Sequence, residues 1–240
     1  WMDFFNPQAR TAFWSELKNG IFEKGMDGWW MDASEPEYDA LKGKQTFLGD
    51  GESLRNAYPL YVTQAMYEGQ RATTDRKRVV ILTRSAFAGQ QRYGAASWSG
   101  DISANWSTLQ RQIPAGLSFS MSGIPYWTTD VGGFFRPKDQ YSSEAYHELL
   151  IRWFEYGAFC PIFRVHGYQS KAEIWNYGQQ VEGILRQYDD LRYRLMPYIY
   201  SAAWRVTKNG ETLMRSLPLE FSSDKLASQI SDQFMFGKAL

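Results

Sequence analysis

A chain of 240 residues with 26 basic and 26 acidic side chains has no net charge. No global field therefore draws it to nucleic acid or to an acidic membrane surface. A single cysteine permits no internal disulfide, and with only two histidines beside it a zinc site lacks ligands.

The length allows one domain with a large core, and no run of about 18 apolar residues exists to span a bilayer. The aromatic load of 10 Trp, 15 Tyr and 15 Phe supplies such a core and leaves rings in loop-like segments, where they could stack on a sugar.

In chain order, residues 1–5 read as a strand end. Residues 8–24 read as an amphipathic helix, with Ala9, Phe13, Leu17 and Ile21 on one stripe and Gly25 as its stop. A short buried strand is predicted over 26–31, and a helix over 59–70 with proline in its first turn. Residues 42–52 form a surface excursion. Residues 78–83 are the clearest strand, continuously apolar and β-branched, as in a parallel strand covered on both faces. A helix over 105–119 should kink or break at Pro114. A strand at 124–129, a helix at 142–156, a strand at 159–164, a long helix at 181–208 bent at Pro197 and a strand at 213–221 complete the order. Cys160, inside Ala158-Phe159-Cys160-Pro161-Ile162-Phe163, reads as a buried, inert thiol.

Strand then helix, repeated, points to a parallel sheet with outer helices. The candidates are an open doubly wound sheet and a (β/α)8 TIM barrel. No glycine-rich phosphate loop follows any strand, which weakens the nucleotide-binding open sheet. In a barrel, catalytic residues gather at the carboxyl ends of several strands. Asp32, Arg84 and Asp130 each follow a predicted strand, and Arg164 and His166 close or follow another.

Hydrolysis of a glycosidic bond needs two carboxyl groups across that bond; in the retaining route one attacks the anomeric carbon and the other protonates the departing oxygen. Asp32, in Gly28-Trp29-Trp30-Met31-Asp32-Ala33-Ser34-Glu35-Pro36-Glu37, is the nucleophile candidate. Asp101, in Ser97-Trp98-Ser99-Gly100-Asp101-Ile102, is the second carboxylate, on a long loop between Arg84 and the helix near Asn105. Gly100 lets that loop turn. Trp98 could supply an apolar wall that disfavours the charged form, as a general acid requires. Each residue also has a structural reading. Asp32 could bracket a loop, Asp101 could cap the following helix, and Asp130 could bracket its glycine turn. His166 could be a satisfied core or loop histidine, and Glu35 and Glu37 could only orient their loop.

Trp30-Met31-Asp32-Ala33-Ser34-Glu35 resembles the nucleophile signature of glycoside hydrolase family 31, the retaining α-glucosidase and α-xylosidase family. The likeness continues through Thr83-Arg84-Ser85, Gln91-Arg92-Tyr93-Gly94, Trp98-Ser99-Gly100-Asp101, Ser120-Met121-Ser122-Gly123-Ile124-Pro125, Asp130-Val131-Gly132-Gly133-Phe134, Phe163-Arg164-Val165-His166 and Met214-Arg215. It runs through essentially the whole chain in order. The resemblance implies a (β/α)8 barrel with Asp32 as nucleophile and Asp101 as acid/base. It further implies that Arg84, Asp130 and His166 bind sugar hydroxyls in the −1 subsite, that Trp30 and Trp98 line the pocket, and that no cofactor or metal takes part. Many members carry Met-Asn after the nucleophile. The Asp-Ala-Ser-Glu-Pro form found here, with Gln90-Gln91-Arg92-Tyr93, looks more like a bacterial branch containing α-xylosidases and some α-glucosidases.

The resemblance also implies two further barrel strands upstream of Trp1, so about six of the eight βα units are expected here. The expected division is a catalytic barrel segment over 1–232 and the start of a C-terminal β domain over 233–240. The expected partners are an oligosaccharide or polysaccharide-derived substrate and the remaining N- and C-terminal domains of a parent protein, with no nucleic acid and no membrane. The expected activity is that of a retaining exo-acting α-glycoside hydrolase, leaning to α-xylosidase. An α-glucosidase or α-transglucosylase, and a non-catalytic carbohydrate-binding fragment, stand as alternatives. The sequence assigns no compartment.

Overall fold

Three short parallel strands organise the first unit of the computed structural model, which describes residues 1–240 and divides into the units Trp1–Trp98 and Ser99–Leu240. Helix α1 (Pro7–Gly20) starts where the Asn6 side chain accepts the Gln8 N–H at 2.9 Å and Pro7 fixes the first turn. Strand β1 (Trp29–Met31) follows. A small hairpin, β2 (Gln45–Thr46) with β3 (Gly49–Asp50), occupies the predicted surface excursion, and Asp50 then caps α2 (Gly51–Leu54). Helix α3 (Tyr58–Thr73), strand β4 (Ile81–Thr83) and strand β5 (Ala95–Trp98) complete the unit. β1 pairs with β4 in the register Trp29↔Ile81 to Met31↔Thr83, and β4 with β5 in the register Ile81↔Ala95 to Thr83↔Ser97.

Trp14, Trp29, Met66, Val79, Ile81 and Ala95 form the core between sheet and helices. The buried indole donors find acceptors: Trp29 Nε1 donates to Gln70 Oε1 at 2.8 Å and Trp14 Nε1 to Thr73 Oγ1 at 3.0 Å. Trp14 is the residue α1 buries fully. The expected stripe of Ala9, Phe13 and Leu17 is only partly covered, and Ile21 lies beyond the helix and is exposed. Residues 1–5 form a turn rather than a strand end, because Asp3 accepts the Phe5 N–H locally while Phe4 and Phe5 are buried as side chains.

The second unit holds α4 (Trp106–Met121), β6 (Trp127–Thr128), α5 (Glu144–Ala158), α6 (Gln179–Arg194), α7 (Met196–Asn209), β7 (Met214–Ser216), α8 (Leu217–Glu220) and β8 (Phe234–Phe236). Its core gathers Trp127, Leu150, Trp153, Phe154, Leu185, Leu213, Met214 and Phe236. β7 and β8 pair antiparallel. The sequence-based elements need four corrections here. Pro114 does not break α4, because Leu109, Gln112, Leu117 and Ser120 are buried on both sides of it and tie the two halves to the core. Residues 159–164 form no strand. Pro161 lacks a ladder donor, and the carbonyls of Ala158, Cys160 and Pro161 accept from the Arg192 guanidinium at 2.8, 2.7 and 3.0 Å instead. The helix over 181–208 is two helices divided at Leu195, with Pro197 in the first turn of α7. The last predicted strand stops at Ser216, where α8 begins. Cys160 is fully buried as expected, and burial pushes its thiol up to about 12. No helix is long and apolar enough to cross a membrane.

Candidate active site

Strand β1 ends at Met31 and delivers Asp32 as its next residue. The chain then bends sharply, with Ala33 in the left-handed region at φ 48°, a conformation costing a non-glycine residue about 1 kcal/mol. Ser34 holds the bend. Its buried hydroxyl bonds the Thr83 hydroxyl on β4 and lies 2.8 Å from the Ser85 hydroxyl. The parallel register that sets Met31 opposite Thr83 also sets Arg84 beside Asp32. Arg84 Nη1 is 3.1 Å from Asp32 Oδ1, while its Nη2 and Nε lie 2.6 and 2.7 Å from Glu35 Oε1. One guanidinium is thus shared by two carboxylates, and the planar fork suits this. Asp32 keeps 39% of its side chain exposed, enough to meet a ligand. Trp30 is 54% exposed and stacks on Trp98, which is 2% exposed, at 5.5 Å between centroids and 22° between planes. Trp30 is therefore the exposed ring of the pair and Trp98 its buried backing. Asp32 caps no helix, since the next one, α2, is capped by Asp50, but its Oδ1 also accepts the Ala33 N–H at 2.8 Å, so the side chain brackets its own loop as well.

In the second unit, Asp101 follows Gly100 and is exposed. It is not the cap of α4. Asn105 takes that place, its Oδ1 accepting the Thr108 N–H at 2.8 Å. The Asp101 segment is stitched to the loop after β6: the Ile102 carbonyl accepts from Phe134 and Phe135 N–H at 2.8 and 3.0 Å, and Ala104 N–H donates to Phe135 O at 3.0 Å. Gly133, at φ 81°, permits this. A Cβ there would stand 2.6 Å from Ala104 Cα, so only glycine fits.

Asp130 leaves the carboxyl end of β6 fully buried. Its Oδ1 is paired with the Arg164 guanidinium, and its Oδ2 is buried with no hydrogen-bond partner. Burial raises its carboxyl from 3.8 to about 6, against the pull of Arg164 and with a further push from the Asp101 charge. Its side chain does not bracket the glycine turn; its backbone carbonyl does, accepting the Gly133 N–H at 2.8 Å. A parallel bridge, Val131↔Val165, brings the segment carrying Arg164 and His166 alongside, and the His166 ring lies 5.6 Å from that of Phe134. Asp101, Asp130, Arg164 and His166 thus converge on adjoining loops of one unit, as Asp32, Glu35 and Arg84 do on the other. No group of three or more His, Cys, Asp or Glu side chains is arranged to hold a metal ion.

Sequence reading places Arg164 only as a strand-end residue beside His166 and Glu35 only as orienting its loop, and it passes over Ser34 and Arg136, whose guanidinium reaches the Val131 and His166 carbonyls. The signals were slight: a carboxylate three residues after Asp32, an arginine two before His166, and an arginine three after Gly133.

The family profile described as "Glycosyl hydrolases family 31 TIM-barrel domain" matches residues 1–202. An α-xylosidase of Saccharolobus solfataricus is 48% identical over 97% of this chain and 33% of its own length. Alpha-glucosidase 2 of Bacillus thermoamyloliquefaciens is 33% identical over 98% of this chain and 30% of its own length. Among solved structures, a GH31 α-xylosidase from a soil metagenome, complexed with xylose, superposes with a TM-score of 0.92 at 37% identity, covering 98% of this chain and 38% of that one. The chain spans about a third of the length of the first two relatives. With strand-end polar residues found where such a barrel keeps its catalytic groups, the chain belongs to glycoside hydrolase family 31, within its TIM-barrel domain.

Proposed function

We propose that the enzyme carrying this chain is a retaining, exo-acting α-glycoside hydrolase and that its substrate is an α-xyloside. The observation that carries the reading is the setting of Asp32: half-exposed, at a parallel strand end, with a guanidinium 3.1 Å from its oxygen. Asp32 attacks the anomeric carbon while Asp101 gives its proton to the departing oxygen. The resulting glycosyl ester is then opened by a water that Asp101 deprotonates, so two inversions give net retention. The two steps balance with water alone. Arg84, Asp130 and His166 take sugar hydroxyls, Arg84 also orients Asp32, and Trp30, backed by Trp98, offers a face to the ring. The unpartnered Oδ2 of Asp130 supports its role, because a buried acceptor without a donor suits a ligand hydroxyl. The choice of xylose is supported by the 48% identity to an α-xylosidase.

The test uses the full-length enzyme on p-nitrophenyl α-xyloside and α-glucoside side by side. The expected result is turnover of the xyloside at the higher kcat/KM. A higher value for the glucoside replaces the substrate, and inactivity on both rejects the enzyme reading. Asp32→Ala should abolish turnover, by about 10⁴-fold or more; near-normal rates in that variant would reject it as nucleophile. Asp101→Ala should spare aryl glycosides with good leaving groups more than disaccharides, and equal loss on both would count against it as the acid.

A further inference from the structure

Every N–H of one guanidinium in the second unit is engaged. Arg136 Nε donates to Gly133 O at 2.9 Å. Its Nη1 donates to Tyr177 OH at 2.6 Å and Ser170 Oγ at 3.2 Å, and its Nη2 to Val131 O at 2.8 Å and His166 O at 3.0 Å. Arginine has five such donors in a rigid fork, and here all five are spent on fixed acceptors. The acceptors lie on two segments. Val131 and Gly133 follow Asp130, while His166 and Ser170 lie on the segment after α5. The seat is shaped for the fork. A Cβ at Gly167 would stand 2.7 Å from Nε, and one at Gly132 would stand 3.1 Å from Nη2.

We infer that Arg136 is a positioning residue for the sugar-binding half of the site, setting the separation between Asp130 and His166 through the carbonyls beside them. The inference rests on the reading of those two residues as sugar ligands. Arg136 touches neither the Asp130 carboxylate oxygens nor, on this assignment, the substrate. It acts through the backbone, where a shift of about 1 Å in a ligand-binding group can cost about 100-fold in rate. Its charge also holds the Asp130 carboxyl down against burial. Lysine keeps that charge but offers three donors on one nitrogen in place of the five-donor fork, so Arg136→Lys is not a conservative change here.

The experiment measures Arg136→Ala and Arg136→Lys in the full-length enzyme, on whichever aryl α-glycoside the wild type turns over. Wild-type inactivity on every aryl α-glycoside would sink the functional reading itself, and this inference with it. With an active wild type, Arg136→Ala should lose about 30-fold or more in kcat/KM. Its acid limb should move to higher pH, and millimolar guanidinium chloride should restore part of the rate in Arg136→Ala but not in Arg136→Lys. A folded Arg136→Ala within about twofold of wild type overturns the inference. So does a loss that guanidinium does not relieve and that leaves the acid limb in place, since that is what a purely structural arginine gives. If Arg136→Ala does not fold, Arg136→Lys decides. Inhibition by the free sugar weakened about fivefold or more supports positioning, and unchanged inhibition overturns it.

Discussion

Asp130 is the residue at which burial and chemistry meet most directly. Its carboxyl ordinarily titrates at 3.8 and in the folded chain at about 6, with burial as the first cause. Between those values the folded state holds a proton that the unfolded state has lost. Stability contributed at this residue therefore falls as pH rises through the window and is constant above it. The effect is about 3 kcal/mol. In Asp130→Asn the difference in Tm from wild type should grow more positive between about pH 4 and pH 6, whatever its absolute sign, because loss of the Arg164 partner adds only an offset. A difference that stays flat or shrinks over that range would contradict the assignment. Activity should run the other way in wild type. The ionised carboxylate accepts a sugar hydroxyl at Oδ2 more strongly than the neutral acid does, so kcat/KM should climb with pH through about 6. Asp32, Asp101, Arg84, Asp130 and His166 are each named from the sequence as candidates, since each follows an apolar run or sits in a recognisable motif. Arg136 is passed over and Arg164 and Glu35 are given no partner, because the pairings they make lie across loops that no local period records.

Among the elements, the sequence revealed the long periodic helices and the β-branched strand at 78–83 best, where one face or both must be apolar. It missed β5 (Ala95–Trp98). That strand reads as loop because two alanines and a serine look weakly apolar, although all four residues are buried. It placed a strand at 159–164 that does not form, because Arg192 on α6 takes the carbonyls a ladder would use. Pro114 shows the opposite error in part: of the kink or break that local propensity favours, packing overrules the break and keeps α4 continuous. Pro114 is exposed at the middle of α4 and leaves the Gln110 carbonyl without its helical donor. Pro114→Ala restores that donor, at the cost of a more flexible unfolded chain. It should stabilise the protein by about 2 kcal/mol, read as a higher midpoint in urea at unchanged slope. A lower midpoint would mean that α4 depends on the proline for its course.

At the scale of the whole chain, whether a boundary falls near residue 232 turns on Phe236. The family profile ends at residue 202, and a boundary at 232 follows from the resemblance. Yet Phe236 is 2% exposed in the core of the second unit, beside Met214 at 0%. The Arg192 guanidinium lies 6.0 Å from its ring, Tyr198 OH donates to its carbonyl at 2.7 Å, and the ladder pairs it with Met214. Those attachments reach α6, α7 and β7, so residues 234–236 contribute to the fold of the second unit whether or not they also begin another domain. Phe236→Ala removes a buried ring and should cost about 3–5 kcal/mol. Leu226→Ala, at a side chain 66% exposed, should stay within about 0.5 kcal/mol and serves as the comparison. Urea unfolding of the full-length enzyme, followed by activity so that the catalytic region reports, distinguishes the cases. A cost below about 1 kcal/mol at Phe236 would assign the segment to a separate domain, and the larger cost extends the catalytic unit past residue 232.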